Sequence, residues 1–379
     1  MKFNVEASEL ASALQKIKGT IQTRTTMPVL SCARIEATGS EIIVTGSDST
    51  NECSVKMAAD VEAKGICAIP ANVITNIARV GRSATVSVNV AEGIAVIKCG
   101  RSRYSVATVS ADEYPIMEQE SGVSAAMSTR DLMRLFSTTR HAQSTDSARY
   151  YMMGTHLHIK GKALVAAATD GHRCVRITMP TPRGMEPLRP IIIGAGTLGL
   201  LKSLESEVDT ITMKVGASTV SFVCGNVALT GRLVEGTFPD YERVIPAPCD
   251  RIIIATEAER IVEGVDALLA IHESSDPLAI RIGPMARDGI VMMSASRGRE
   301  GRQAAVDVEA EGSSASTGVN AAYIKAALDI FPEGAEVSIQ QETEGSPINI
   351  VCGKAPEITC VVMPMRAADA PAAKVDAAA

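Results

Sequence analysis

The chain's 379 residues exceed one ordinary core at roughly 100–200 residues per domain, so about two to four domains are expected, three being the middle of that range. Hydrophobic residues at 46% and charged ones at 21% exclude a disordered chain, and aromatic residues at 3% with no Trp weaken any case for stacking on single-stranded nucleic acid. A formal charge of −6 argues against an ordinary DNA-binding protein, which is basic enough to displace counterions along the phosphates; either DNA is not the partner, or it is held by something other than affinity.

The first segment, "MKFNVEASEL", places Glu6 and Glu9 where a secretory signal needs an unbroken apolar stretch, and no run approaches ~18 apolar residues. A soluble cytoplasmic protein with no membrane partner is expected. A helix follows in "ASELASALQKIKGTI", then alternating strand-like runs such as "EIIVTGSD", a second helix from Pro70 in "PANVITNIARVG", and a strand ending in "IAVIKCGRSR". The same order returns as "STRDLMRLFSTTRHA", "ALVAAATDGHRCVRI", a helix from Gly194 in "GAGTLGLLKSL", and "TVSFVCGNVA". It returns again as "TEAERIVEGVDALLAI", a helix from Gly318 in "GVNAAYIKAALDIF", and "INIVCGKAPE". Ser8, Ser128 and Thr256 are placed to cap the first helix of each set.

Two markers fix the period. Cys99, Cys224 and Cys352 each precede a Gly and lie 125 and 128 residues apart, and Pro70, Gly194 and Gly318 are spaced by 124. The period is that of a domain, which gives an α+β chain of three repeats: 1–122, 123–250 and 251–366. Residues 367–379, "AADAPAAKVDAAA", are small and Pro-interrupted, and a mobile tail is expected there.

Nine scattered cysteines without a C-x-x-C pair read as reduced, buried small hydrophobes. His156 and His158 share a strand face but have no acidic or Cys neighbour to complete a metal site, so no metal or other cofactor is expected. In "TDGHR", Asp170 and Gly171 suit the corners of a β-turn; the enzymatic alternative makes Asp170 and His172 an acid/base pair, though no nucleophile is phased with them.

The segments "MKFNVEASEL", "TRTTMPVL", "CGRSRYSV", "ARYYMMG", "AAATDGHRCVRITMP", "GRLVEGTFPDYERVIP", "TGVNAAYIKAALDIF" and "VVMPMR" carry a closer likeness. With them in this order, the chain resembles the bacterial DNA polymerase III beta subunit, the beta sliding clamp, from Met1 to Arg366. The resemblance implies a DNA clamp fold, with two inward helices and outer sheets per domain. It further implies a non-enzymatic homodimer whose two three-domain chains close a six-domain ring on duplex DNA in the bacterial nucleoid. Such a ring holds DNA topologically, so weak contact with phosphates suffices despite the negative charge. The six helix segments carry Lys16, Lys18, Arg79, Arg82, Arg130, Arg134, Arg140, Lys202, Arg260 and Lys325 against nine acidic residues, a small bias of the expected sign, with the acidic helix at 256–271 as an exception.

The resemblance also implies site residues. Arg24, Arg149, Tyr150 and Tyr151 match positions near DNA, with core packing the other reading of the tyrosines, and the helix cations Arg79 and Arg82 are assigned to DNA with them. Asn72 and Ala195-Gly196 stand where relatives often carry basic residues. A peptide cleft for polymerases and the clamp loader, which dock through motifs containing a Gln and bulky apolar residues, is implied at Met152, Thr169, Gly171, His172, Arg173, Cys174, Pro239, Arg243, Val244, Asn320, Tyr323, Val361, Met363, Pro364, Met365 and Arg366. Ala367 stands where relatives usually end on Leu or a similar residue. For the dimer, Arg101, Arg103, Tyr104 and Val106 are expected to meet the partner near Leu268, Ile271 and His272. A specialised accessory clamp is the alternative within the same class.

Overall fold

A computed structural model describes residues 1–81, 84–118, 120–204, 209–272, 277–297 and 302–367. The chain divides into two units, Met1–Arg134 with Thr181–Val234, and Leu135–Pro180 with the chain from Glu235 onward. The middle repeat is therefore shared between them. In the first unit, a five-stranded sheet runs in the order Asp60–Ala63, Lys2–Glu6, Thr85–Ala91, Ile94–Cys99, Ser102–Ala107. An eight-stranded sheet joins Val123–Ser128, Thr210–Val215, Thr219–Cys224 and Val227–Arg232 to Asn51–Ala58, Glu41–Ser47, Cys32–Thr38 and Gly65–Pro70. The seam between repeats is an antiparallel ladder in which Val227 faces Val55 and Leu229 faces Cys53.

In the second unit, one sheet includes the order Gly154–Lys160, Ala163–Thr169, Arg173–Pro180, Ile358–Val362, Ile348–Cys352, Glu336–Gln340, Ile252–Glu257, Glu311–Gly312. Here the seam pairs Cys174 with Val361 and Arg173 with Val362. A four-stranded sheet runs Arg302–Glu309, Ile290–Arg297, Ala279–Arg287, Thr317–Asn320. A repeat with an unpaired sheet edge exposes backbone donors and acceptors, and pairing across the seam satisfies them.

Six α-helices occur among the described residues, two per repeat: α1 (Ala7–Ile17), α2 (Ala71–Gly81), α3 (Thr129–Arg140), α4 (Ala195–Lys202), α5 (Ala258–Leu269) and α6 (Ala321–Leu328). Each buries one stripe at three-to-four spacing, such as Leu10, Ala13, Leu14 and Ile17 of α1 and Ile261, Val265 and Leu268 of α5. The cores are aliphatic, as the composition requires: of the largest fully buried side chains all are Ile or Leu except Phe3 and Phe222. No described helix is long and apolar enough to cross a membrane.

The marker cysteines Cys99, Cys224 and Cys352 are each the last residue of a strand that turns into the next hairpin strand, and all three are buried. The capping expectation holds at Ser128, whose hydroxyl accepts from the Asp131 amide at 3.0 Å. It fails at Ser8, which lies inside α1, and at Thr256, whose hydroxyl donates to the Glu309 carbonyl at 2.9 Å. Neither stands at the cap position, which is Glu6 for α1 and Glu257 for α5, whereas Ser128 immediately precedes α3. Helices α2 and α4 start after Pro70 and Gly194, but α6 starts at Ala321, so Gly318 is not their counterpart. Asn320 sets that start by accepting from the amides of Ala322 and Tyr323 at 2.9 and 3.4 Å. Gly318 sits in a strand, where any Cβ would run into the Met365 carbonyl.

Candidate functional site

The turn Thr169–Arg173 is built by local chemistry. Asp170 Oδ1 accepts from the amides of His172 and Arg173 at 2.8 and 3.0 Å, and its Oδ2 holds the Arg173 guanidinium at 3.0 Å with both side chains mostly buried. The Thr169 hydroxyl donates to the Arg173 carbonyl at 2.7 Å and accepts from the Gly171 amide at 3.1 Å. Gly171 takes φ +91°, a left-handed conformation that other residues adopt only at a cost. The Asp170 carboxylate is consumed by its own turn, and no contact joins it to the His172 ring, so the acid/base pairing is corrected to a structural turn.

Three distant segments meet this turn. The Met363 amide donates to the His172 carbonyl at 2.8 Å, continuing the ladder beyond Val362, and the Met365 amide donates to the Gly318 carbonyl at 2.8 Å. From α6, the Tyr323 ring stacks against His172 with centroids 6.3 Å apart and lies 4.3 Å under the Arg173 guanidinium. From the 3₁₀ segment Ser147–Met152, Arg149 Nη1 donates to the Asp170 carbonyl at 3.1 Å while Nε pairs with Asp146 at 2.9 Å. Sequence reasoning assigns Arg149 to DNA and gives no sign of this bracing role, because its two partners are brought to it by the fold.

Within the implied cleft set, exposure separates surface from support. Val244, Met363 and Met365 are 39%, 37% and 39% exposed, three large apolar side chains in water. His172 and Arg366 are exposed, and Arg173, Pro239, Tyr323 and Pro364 are half-buried. Met152, Thr169, Cys174, Asn320 and Val361 are buried and act from beneath. Arg243 pairs with Asp240 at 2.8 Å in solvent. The Ala367 carbonyl accepts from Arg281 at 3.0 Å; residues 368–379 lie outside the described residues.

Behind the turn, burial and then the Arg173 charge push the His141 pKa down to about 4, and its ring lies 3.9 Å from the Cys360 thiol. Burial pushes the Cys174 and Cys360 thiols up to about 12, as it does Cys53 and Cys67 in the other unit, so these cysteines are unreactive thiols at neutral pH. All nine cysteines are free. His156 and His158 are taken up by aromatic neighbours: His156 stacks on Phe238 at 4.7 Å and His158 bonds Tyr241 at 2.9 Å. Among the described residues no group of three His, Cys, Asp or Glu is placed to hold a metal ion.

Of the residues matched to DNA, Arg24 is exposed in a loop, and Arg79 is exposed on α2 with Nη2 donating to Gln15 of α1 at 2.8 Å. Arg82 lies outside the described residues. Tyr150 is 52% exposed, which removes the core-packing reading for it, and Tyr151 is half-buried with its ring edge-on to Tyr150. Asn72, Ala195 and Gly196 are exposed at helix starts. In the third repeat, Arg260 pairs with Glu257 and Glu309, and Lys325 with Asp266, so both of its helix cations are matched by carboxylates.

Of the residues assigned to the dimer, Arg101, Arg103, Tyr104 and Val106 lie on or beside Ser102–Ala107, a terminal strand of its sheet, with Tyr104 and Val106 half-buried. Ile271 and His272 are half-buried at the end of α5. Leu268 is corrected: it is fully buried in its own unit and offers no surface to a partner chain.

Repeated α+β units of paired helices and antiparallel hairpins define the class of DNA sliding clamps, and this chain superposes on solved members. It matches Caulobacter crescentus pol III beta with a TM-score of 0.90 at 28% identity, over 97% of this chain and 100% of the other. It matches the DNA polymerase III subunit beta of Pseudomonas aeruginosa with a TM-score of 0.89 at 25% identity, over 97% and 100%. The beta sliding clamp of Caulobacter vibrioides is 30% identical, with 97% of this chain and 100% of the relative covered. Family models described as the N-terminal and central domains of the DNA polymerase III beta subunit match residues 1–118 and 126–240. The chain belongs to the DNA polymerase III beta subunit family, the beta sliding clamps. Its members are processivity factors and not enzymes.

Proposed function

We propose that two copies of this chain close a ring around duplex DNA, each contributing three clamp domains at 1–122, 123–250 and 251–366, and that the ring tethers replicative and repair polymerases and the clamp loader. It works in the bacterial cytoplasm, at the nucleoid. The observation that carries this reading is the likeness to beta sliding clamps along nearly the whole of both chains. The terminal strands Ser102–Ala107 and Arg302–Glu309 supply edges for closure, flanked by Tyr104, Val106, Ile271 and His272. Arg24, Arg79 and Arg149 with Tyr150 and Tyr151 are the DNA-side contacts, and Arg82 extends them.

Clients dock on the surface around Thr169–Arg173, where Val244, Met363 and Met365 present apolar area and His172, Arg173 and Tyr323 present polar and aromatic anchors. Flexible Met side chains repack around different ligands, which suits a hub. Titration of a labelled peptide carrying a Gln and bulky apolar residues tests the assignment. Met363→Ala or Met365→Ala is expected to weaken binding on the order of tenfold, as for a buried anchor. Deleting 368–379 is expected to change it by less than about fivefold, since that segment has neither Gln nor a bulky aromatic. A larger effect from the deletion than from the Met variants contradicts the assignment.

A further inference from the structure

The segment Phe238–Val244 belongs to no sheet, yet it ends on Val244 and Arg243, two residues of the proposed client surface. Its position is set by one face of the strand Gly154–Lys160. On that strand His156, His158 and Lys160 alternate, so their side chains leave the same face. Each holds a different residue of the segment. The His156 ring lies flat on Phe238, with centroids 4.7 Å apart and planes 5° from parallel. His158 Nε2 is 2.9 Å from the Tyr241 hydroxyl, and Lys160 Nζ is 2.6 Å from Glu242 Oε1. Phe238 and Tyr241 are buried by these contacts and their surroundings, whereas Val244, three residues beyond Tyr241, is 39% exposed.

The three contacts differ in worth. The Lys160–Glu242 pair is exposed on both sides, and such pairs contribute little. The His156–Phe238 stack fixes the start of the segment, farther from Val244. His158 acts at its middle and from a half-buried position. Burial holds the His158 ring below its ordinary pKa, so it is neutral at pH 7, and burial pushes the Tyr241 hydroxyl up to about 12, so it keeps its proton. The bond therefore joins two neutral groups, its direction set by the ring tautomer.

We propose that His158 is a positioning residue of the client cleft: by holding Tyr241, it fixes the 3₁₀ turn Tyr241–Val244 so that Val244 stands ready for an incoming peptide. The inference rests on the cleft reading above. Without the bond, the turn must be ordered when the peptide binds, and that ordering is subtracted from affinity.

The test uses the full-length protein and a fluorescent synthetic peptide carrying a Gln and two bulky apolar residues. His158→Phe keeps an aromatic ring and removes the bonding nitrogen; it is expected to raise the peptide Kd about fivefold, the scale of one lost hydrogen bond plus ordering. His158→Gln, whose amide can donate or accept, brings Kd back to within about twofold of the parent. Val244→Ala weakens binding by itself, and adding His158→Phe to it costs little more, because both act through the same contact. Tyr241→Phe removes the same bond from the other side and reproduces the His158→Phe effect, which covers the case of a poorly folding His158 variant. Additive losses in the double variant, or an unchanged Kd in His158→Phe and Tyr241→Phe, overturn the positioning role while leaving the cleft in place. A parent protein that does not bind the peptide overturns both.

Discussion

His141 lies behind the cleft turn, between the Arg173 guanidinium and the Cys360 thiol, with its pKa held down to about 4 by burial first and the Arg173 charge second. The unfolded chain protonates this ring near pH 6.5 and the folded chain does not until about pH 4, so the folded state binds fewer protons across that window. Stability from this group is fully present above about pH 6.5 and falls as the pH drops through 4, by on the order of 3 kcal/mol. His141→Gln is expected to flatten the fall of the melting temperature between pH 7 and 4; an unchanged slope contradicts the buried neutral ring. Asp170 shows the other side of residue-scale chemistry, since its bonds to the amides of 172 and 173 are local and make "TDGHR" readable as a turn from sequence. Tyr323 and Met363 reach that turn from far along the chain and leave no local signal, so only a family resemblance places them there. The same holds for Arg149, whose sequence context reads as a free cation although it braces the turn.

Among the elements, helices with amphipathic spacing were legible, and so were the hairpins that follow each Cys-Gly pair, because both patterns are periodic over many residues. Helix starts were less so: Ser128 caps its helix, but Ser8 and Thr256 do not, because Glu6 and Glu257 hold the cap positions there. Leu268 illustrates a further limit, since a helix-end Leu has the same sequence whether it faces a partner or its own core, and here burial decides for the core. The strand Ser102–Ala107 is the closing edge we propose. It is terminal in its sheet, and unpaired edges in soluble proteins are covered or charged; Arg101 and Arg103 precede Tyr104 here. Tyr104→Asp places a carboxylate at the half-buried position on that edge and is expected to leave monomers at micromolar concentration by sedimentation velocity, where the parent is a dimer. An intact Tyr104→Asp dimer places the interface elsewhere.

For the whole molecule, the threefold repeat was visible at the period of the marker cysteines, whereas the two contact units were not, because the middle repeat is divided and its sheets continue into its neighbours through ladders such as Val227 with Val55 and Cys174 with Val361. Charge follows the same logic of scale. The protein is acidic at −6, and the third-repeat cations Arg260 and Lys325 are matched by carboxylates, so retention on DNA by affinity alone is weak. A closed ring does not need it. Binding by phosphate contacts falls steeply between roughly 50 and 200 mM salt, whereas a topological link does not depend on counterion release. The most direct measurement loads the protein with a clamp loader onto nicked circular duplex DNA, raises the salt across that range, and then cuts the circle once. The expected result is retention on the circle at every salt concentration and rapid loss after linearisation. Salt-dependent release from intact circles, or retention on the cut DNA, contradicts a ring.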